Sequence, residues 1–266
     1  MHYTITHHTN AKKHSHGRTD ASGTETALHI DRNWLPSSGY VCRKHLFERF
    51  CALVLLLITV PVLLVLSAII RLTSRGPSIY RQIRVGLYGR PFLMYKLRTM
   101  RQDAEAGKGA LWCQPRDPRV TFVGRILRAS HLDEIPQLIN VARGEMALIG
   151  PRPERPEFTQ TLAREIPGYM QRHVVRPGIT GLAQVQLPPD SNLESVRRKL
   201  VFDLEYARHG TLWLDARILL ATLFRLFGSR FSIAANLLRL KHTHSVPRSY
   251  RAEPELRVDT ERVHPK

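Results

Sequence analysis

No charge interrupts the chain between Phe50 and Ile70, FCALVLLLITVPVLLVLSAII. At ~1.5 Å per residue a helix over this run is ~30 Å long, the thickness of a bilayer's hydrocarbon core. An apolar run of that length reads as membrane-embedded, not as the core helix of a soluble domain. Whatever folds after it is therefore tied to a lipid surface. Pro61 lies near the middle, where it removes a backbone hydrogen bond and kinks a helix. Thr59 carries a hydroxyl able to satisfy a freed carbonyl. Basic residues flank both sides: Arg43, Lys44 and Arg49 before, Arg71 and Arg75 after. Basic flanks stay on the cytoplasmic side, so a single crossing strands one cluster on the wrong face. The pattern predicts a re-entrant helix over 44–72, broken at the proline, entering and leaving by one leaflet.

The soluble part follows this run and spans 73–240. Residues 212–227, LWLDARILLATLFRLF, mix apolar stretches with Arg217 and Arg225 and read as a helix lying in the membrane interface or an ordinary core helix. A shorter apolar stretch covers 233–240. The ends differ in composition. Residues 1–39 are polar, with His7, His8, His14 and His16 and no apolar periodicity, and read as a disordered tail. They lack the order of a signal peptide, and they do not supply a further membrane domain. Residues 245–266, with Pro247, Pro254 and Pro265, read as a second disordered tail.

Residues 133–153 carry the chemistry: DEIPQLINVARGEMALIGPRP. Ile135, Leu138, Ile139 and Ala142 recur at helical spacing, and Gly144 stands where such a helix ends. Asp133 and Glu134 then lie at its start, where backbone N–H groups attract anions. An acid there also serves simply as an N-cap. Gly150 to Pro153 form a stiff Gly-Pro-Arg-Pro turn presenting Arg152.

The charge balance narrows the partners. Forty Lys+Arg against 22 Asp+Glu give +18, which calls for a polyanion: anionic lipid, phosphorylated substrate or nucleic acid. No zinc finger, RNA-recognition signature or glycine-rich phosphate loop accompanies it, so no nucleic acid is expected. Three cysteines form no metal spacing and no disulfide framework.

The motifs, taken in order, resemble the monotopic phosphoglycosyl transferases. These are bacterial sugar transferases that begin exopolysaccharide, O-antigen or capsule assembly on a polyprenyl phosphate. The likeness runs from Lys44 to Gly228. It rests on the apolar segment with its proline, GPSIYRQIRVGLYGRPFLMYKLRTM at 76–100, DPRVTFVGRILRASHLDEIPQ at 117–137, Gly150–Pro153, RHVVRPGITGLAQ at 172–184 and KLVFDLEY at 199–206. It implies transfer of a phosphosugar from a UDP-sugar donor to undecaprenyl phosphate with release of UMP, at the cytoplasmic face of the bacterial inner membrane and against its anionic lipids. It implies Asp133 as nucleophile, through an aspartyl phosphosugar, and Glu134 as the support of Mg2+. Arg152, Arg128, Arg176, Lys96, Arg98 and Arg125 are the candidate phosphate-binding cations. Asp203 matches a family acid near the site. Val60 and His131 stand where the family often has Ser. The fold class expected is α-rich α+β, a monotopic membrane protein with interfacial amphipathic helices. A homo-oligomer is left open. Competing readings are a membrane-tethered, Mg-dependent phosphodiesterase and an anionic-lipid or nucleic-acid binding protein.

Overall fold

A computed structural model describes residues 30, 38–102, 104, 117–190 and 192–226. The expectations for the terminal tails lie largely outside these residues, as do those for the His-rich segment, Phe227 and 233–240. Ile30, expected in the N-terminal tail, packs against the cluster that includes Leu162, Tyr169 and Leu200.

The apolar run forms one helix, α1 (Ser38–Thr73), starting earlier than the expected 44 and containing Pro61. By length and composition it is able to cross a bilayer. The Thr59 hydroxyl donates to the Leu55 and Leu56 carbonyls. The carbonyl that Pro61 leaves without an N–H is that of Leu57, four residues back, so Thr59 does not replace the lost bond as expected. One stripe of α1 faces the protein. Ala52 and Leu56 pack with Met94, Val141 and Met146; Leu63, Leu66 and Ile70 pack with Leu97 and Leu127. The other faces expose Leu53, Leu57, Ile58, Leu64 and Val65.

Two strands follow, β1 (Ile79–Val85) and β2 (Pro91–Leu97), paired as an antiparallel hairpin from Ile79↔Leu97 to Val85↔Pro91. After α2 (Phe122–Ala129) a 3-10 turn, Leu132–Glu134, leads into α3 (Gln137–Arg143). Strand β3 (Ala147–Ile149) pairs in parallel with β4 (Gly178–Thr180). Parallel pairing needs a crossover, here supplied by α4 (Pro156–Glu165) and the 3-10 segment Tyr169–Val174. Helices α5 (Leu182–Gln186), α6 (Leu193–His209) and α7 (Leu212–Leu226) complete the described chain. The fold is helix-rich, with two small two-stranded sheets.

Two helices turn apolar side chains outward. On α2, Phe122 is 70% and Ile126 55% exposed, beside exposed Arg125, while Leu127 is buried. On α7, Trp213, Leu219, Leu220 and Leu223 are exposed while Leu214, Ile218 and Ala221 enter the core. Exposed apolar faces of this kind suit a lipid interface.

Candidate active site

The segment predicted from Ile135, Leu138, Ile139 and Ala142 does form a helix, and Gly144 ends it with a left-handed φ of 78°. The acids do not cap it. Pro136 occupies the cap position of α3, and Asp133 and Glu134 sit one step earlier in the 3-10 turn. His131 opens that turn at φ 57°. A left-handed residue other than glycine is uncommon, although histidine is among those that tolerate it. His131 separates the end of α2 from the turn that carries the acids. Leu132 then packs against Ile70, Leu97 and Leu127, leaving the two acids on the adjacent positions, both buried.

The two carboxylates meet different surroundings. Glu134 Oε1 accepts from Lys96 Nζ at 2.8 Å and from Arg152 Nη2 at 2.6 Å. Burial alone would raise its carboxyl, but Arg152 and Lys96 together outweigh burial and hold it well below the ordinary range. Among the described residues, neither Asp133 oxygen takes a hydrogen bond. Burial raises the Asp133 carboxyl, Lys96 and Arg128 pull it back only in part, and the Glu134 charge adds to the rise. A pair of acids driven apart by their environments is the usual mark of divided roles.

Arg152 is presented by a turn whose carbonyls from Pro151 to Glu154 are all engaged. The carbonyls of Pro151, Arg152, Pro153 and Glu154 each accept a bond: from Gly178 N at 2.9 Å, Arg172 Nη2 at 3.0 Å, Arg84 Nη1 at 2.9 Å and Val85 N at 2.9 Å. Gly150 N donates to Thr180 O. The turn lies so close to β4 that a methyl group on Gly178 would run into the Gly150 amide. The Gly178 amide, two residues after Arg176, is therefore spent on the turn. The Arg152 side chain stays 41% exposed, leaving the rest of its fork accessible.

Three of the six expected cations gather at the acids. Lys96 and Arg152 bond Glu134, and Arg128 lies within electrostatic reach of Asp133 while its Nε donates to Thr99 Oγ1 at 2.8 Å. The other three stand elsewhere. Arg176 Nε bonds the Gly144 carbonyl at 2.8 Å, at the far end of α3. Arg125 lies over the Phe122 ring on the exposed face of α2. Arg98 crosses to the end of α1, where Nη2 bonds Ser74 O. Each is a long side chain captured by a nearby backbone carbonyl or ring, which motif position does not reveal.

Asp203 pairs with Arg172 at 2.6 Å, and with Arg152 and Lys199 it lines a cavity beside the turn. Arg172 is a residue the motif reading left unassigned. Its Nη2 reaches both Asp203 and the Arg152 carbonyl, its Nη1 donates to Tyr169 OH at 2.8 Å, and its guanidinium lies 5.2 Å from the Tyr169 ring centre. Asn140 was also unassigned. It is wholly buried, accepts from Tyr95 N and donates to Leu93 O and Glu145 Oε2, fixing α3 to the strand that carries Lys96. No sequence signal marks it: at 3.6 residues per turn Asn140 lies away from the stripe formed by Ile135, Leu138, Ile139 and Ala142.

Among the described residues no cluster of three His, Cys, Asp or Glu side chains forms a metal cage. Magnesium is commonly held by one or two carboxylates plus substrate phosphates, and the pair fits that mode. Glu134 Oε1 is committed to Lys96 and Arg152, while Oε2 and both Asp133 oxygens take no hydrogen bond among the described residues. The ion would be a third cation around Glu134, balanced by the phosphates that arrive with it.

A family model for bacterial sugar transferases matches residues 39–229. The UDP-N-acetylgalactosamine-undecaprenyl-phosphate N-acetylgalactosaminephosphotransferase of Aeromonas hydrophila is 41% identical over 74% of this chain and 47% of its own length. The UDP-glucose:undecaprenyl-phosphate glucose-1-phosphate transferase of Caulobacter vibrioides is 42% identical over 71% of each chain. The Xanthomonas campestris enzyme of the same name is 38% identical over 72% of this chain and 40% of its own length. The chain thus spans less than half the length of two of these three relatives.

Proposed function

This chain belongs to the bacterial sugar transferase family, and from that premise we propose that it transfers a phosphosugar from a UDP-sugar to undecaprenyl phosphate, releasing UMP. The carrying observation is the asymmetry of the acids: Glu134 is bound by two cations while Asp133, next to it, is buried and takes no hydrogen bond among the described residues. A carboxylate is a weak nucleophile unless the electrophile's charge is neutralised. Arg152, Lys96 and Arg128 surround the position where a diphosphate would lie. Fixed cations aimed at developing phosphoryl charge lower the barrier without reorganising during the reaction.

Asp133 attacks the phosphorus bonded to the sugar, and the P–O bond to UMP breaks with its electron pair leaving on UMP. The product is an aspartyl phosphosugar. An oxygen of the lipid phosphate then attacks the same phosphorus, the bond to Asp133 breaks, and the carboxylate returns with a polyprenyl diphosphate sugar formed. Glu134 orients Arg152 and Lys96 and would hold Mg2+ through Oε2, the metal supplying charge neutralisation on the diphosphate. The Arg172-backed turn keeps the Arg152 fork in place through both steps.

A re-entrant α1 at the cytoplasmic face is part of the same reading. Both ends of α1 attach to one body: Tyr40 OH bonds Asp215 and Arg49 Nε bonds the Ala142 carbonyl near the start, and Ser74 bonds Arg98 just past the end. Two ends held by one soluble body favour entry and exit through one leaflet. The outward apolar faces of α2 and α7 then rest on the lipid, so a water-soluble donor and a lipid acceptor meet at one site.

The test is UMP release by the purified full chain with Mg2+, from UDP-glucose, UDP-N-acetylgalactosamine and further UDP-sugars, with and without undecaprenyl phosphate. Lipid-dependent release with ping-pong kinetics is expected. Release that ignores the lipid would make the protein a phosphodiesterase, and Asp133→Asn turning over normally would remove the nucleophile.

A further inference from the structure

Among the described residues, no carboxylate pairs with the Arg98 guanidinium. The residue is 7% exposed. Its Nη2 donates to Ser74 O and Ser74 Oγ, both at 2.8 Å. Its Nε and Nη1 are buried and take no hydrogen bond among the described residues. The other buried Lys and Arg side chains face carboxylates: Lys44 faces Glu48 and Asp215, and Arg172 faces Asp203. Arg98 forms no ion pair among the described residues. Buried guanidinium N–H groups with neither counter-charge nor acceptor are costly, and native structures seldom leave them so unless a ligand, ion or water completes them.

Its position says which anion fits. Ser74 directly follows α1, so the guanidinium stands where the apolar helix leaves the lipid, at headgroup depth. In the chain it is two residues from Lys96, which bonds Glu134, and next to Thr99, which bonds Arg128. An anion there would lie at the end of the apolar helix, on the strand end that follows Lys96. Gly76 keeps the place open. Its φ of 104° is one that side chains rarely adopt, and a Cβ would strike Arg98 Nη1 and the Gln102 amide. Gln102 is exposed at the same spot, so a ligand would reach the guanidinium by displacing that amide and not the core.

We propose that Arg98, held by Ser74 at the foot of the membrane helix, binds the phosphate of the lipid acceptor, a phosphomonoester on a polyprenyl chain. It is a binding residue for the second half of the reaction and not for the donor. This assignment rests on the transferase reading, but one test is independent of catalysis. Retention of radiolabelled undecaprenyl phosphate by the detergent-purified full chain needs no donor. Arg98→Gln is expected to weaken retention at least tenfold, and Arg98→Lys less, since it keeps the charge and one donor to Ser74. Excess inorganic phosphate or phosphatidylglycerol is expected to compete poorly. In turnover assays the Arg98→Gln change raises KM for the lipid tenfold or more and shifts KM for the UDP-sugar less than twofold. Unchanged retention in both variants overturns the proposal, as does equal competition by phosphatidylglycerol, which would make the site a general headgroup contact. So does a donor KM that rises as much as the acceptor KM. Should Arg98→Gln fail to fold, Arg98→Lys, melting as the parent does, carries the same comparison. If no UDP-sugar is turned over, yet the parent retains undecaprenyl phosphate and Arg98→Gln does not, the lipid site stands and the transferase reading falls.

Discussion

Removing Arg172 tests whether the Arg152 turn is braced from behind. Arg172→Met keeps most of the bulk and deletes the bonds to Asp203, Tyr169 and the Arg152 carbonyl. The pair is 2.6 Å long with side chains 7% and 4% exposed, and breaking one partner of such a buried pair costs roughly 3–5 kcal/mol. The cost depends on pH. Burial pushes the Asp203 carboxyl up to about 6 against the downward pull of Arg172, and without Arg172 it rises further. A carboxyl raised above its unfolded value of about 3.9 keeps a proton that the unfolded chain has released. That favours the fold at low pH and is lost as pH rises to the folded value, with no further change beyond it. At pH 5 Asp203 is mainly protonated in parent and variant, so the variant loses only hydrogen bonds, on the order of 1–2 kcal/mol. At pH 8 the parent is ionised and paired while the variant is not, and the full ~3–5 kcal/mol applies. At roughly 2–4 °C per kcal/mol for a chain of this size, the melting temperature drops by ~2–8 °C at pH 5 and ~6–20 °C at pH 8. Fluorescence-detected melting in one detergent at both pH values reads this directly. Equal drops at both, or none at pH 8, would refute the buried-pair reasoning.

Asp133→Asn is expected to abolish UMP release and any acid-labile phosphosugar adduct on the protein, with vesicle flotation unchanged; flotation lost together with activity would make the residue structural. Because the Asp133 carboxyl is raised, turnover should fall on the acid side at a higher pH than an ordinary aspartate sets. Glu134→Gln removes a neighbouring negative charge and frees Lys96 and Arg152 to act on Asp133, so residual turnover should be much lower but its acid limb should move to lower pH. An acid limb that stays put would disconnect the two groups. Gly178→Ala forces β4 off the Gly150 turn, which should cost ~1–3 kcal/mol as an overpacked contact and lower kcat through Arg152; a variant with unchanged melting and kcat would show the turn is not held by that approach.

Several elements were legible because their signal is local. The charge-free run from Phe50 to Ile70, the apolar spacing of α3, its end at Gly144 and the stiff turn around Arg152 all follow from nearest neighbours along the chain. The cation set was legible only in part. Lys96, Arg128 and Arg152 converge on the acids, yet Arg98, Arg125 and Arg176 carry the same charge in equally basic motifs and go to a helix end, an aromatic ring and a distant carbonyl. Their destinations depend on backbone groups far away in sequence: Ser74 for Arg98, Gly144 for Arg176. The placement of the acids in a 3-10 turn hinged on His131 was also invisible, because a left-handed histidine leaves no periodic trace. Arg172 and Asn140 went unassigned for the opposite reason: each acts by bonding backbone carbonyls, and a carbonyl has no letter in the sequence.

By itself, then, the sequence determined that this chain carries a helix long and apolar enough to cross a membrane, that two adjacent acids sit ahead of a short helix, and that an arginine is offered on a rigid turn. Those properties come from hydrophobic burial, helical spacing and proline stiffness, which act over a few residues. Only the tertiary structure decided which acid is neutralised, which takes no hydrogen bond among the described residues, and which of many arginines converge on the pair. Charge interactions are settled at distances of 2.6–2.8 Å between Glu134 and residues 38 positions before it and 18 after it, and only the folded chain sets such distances.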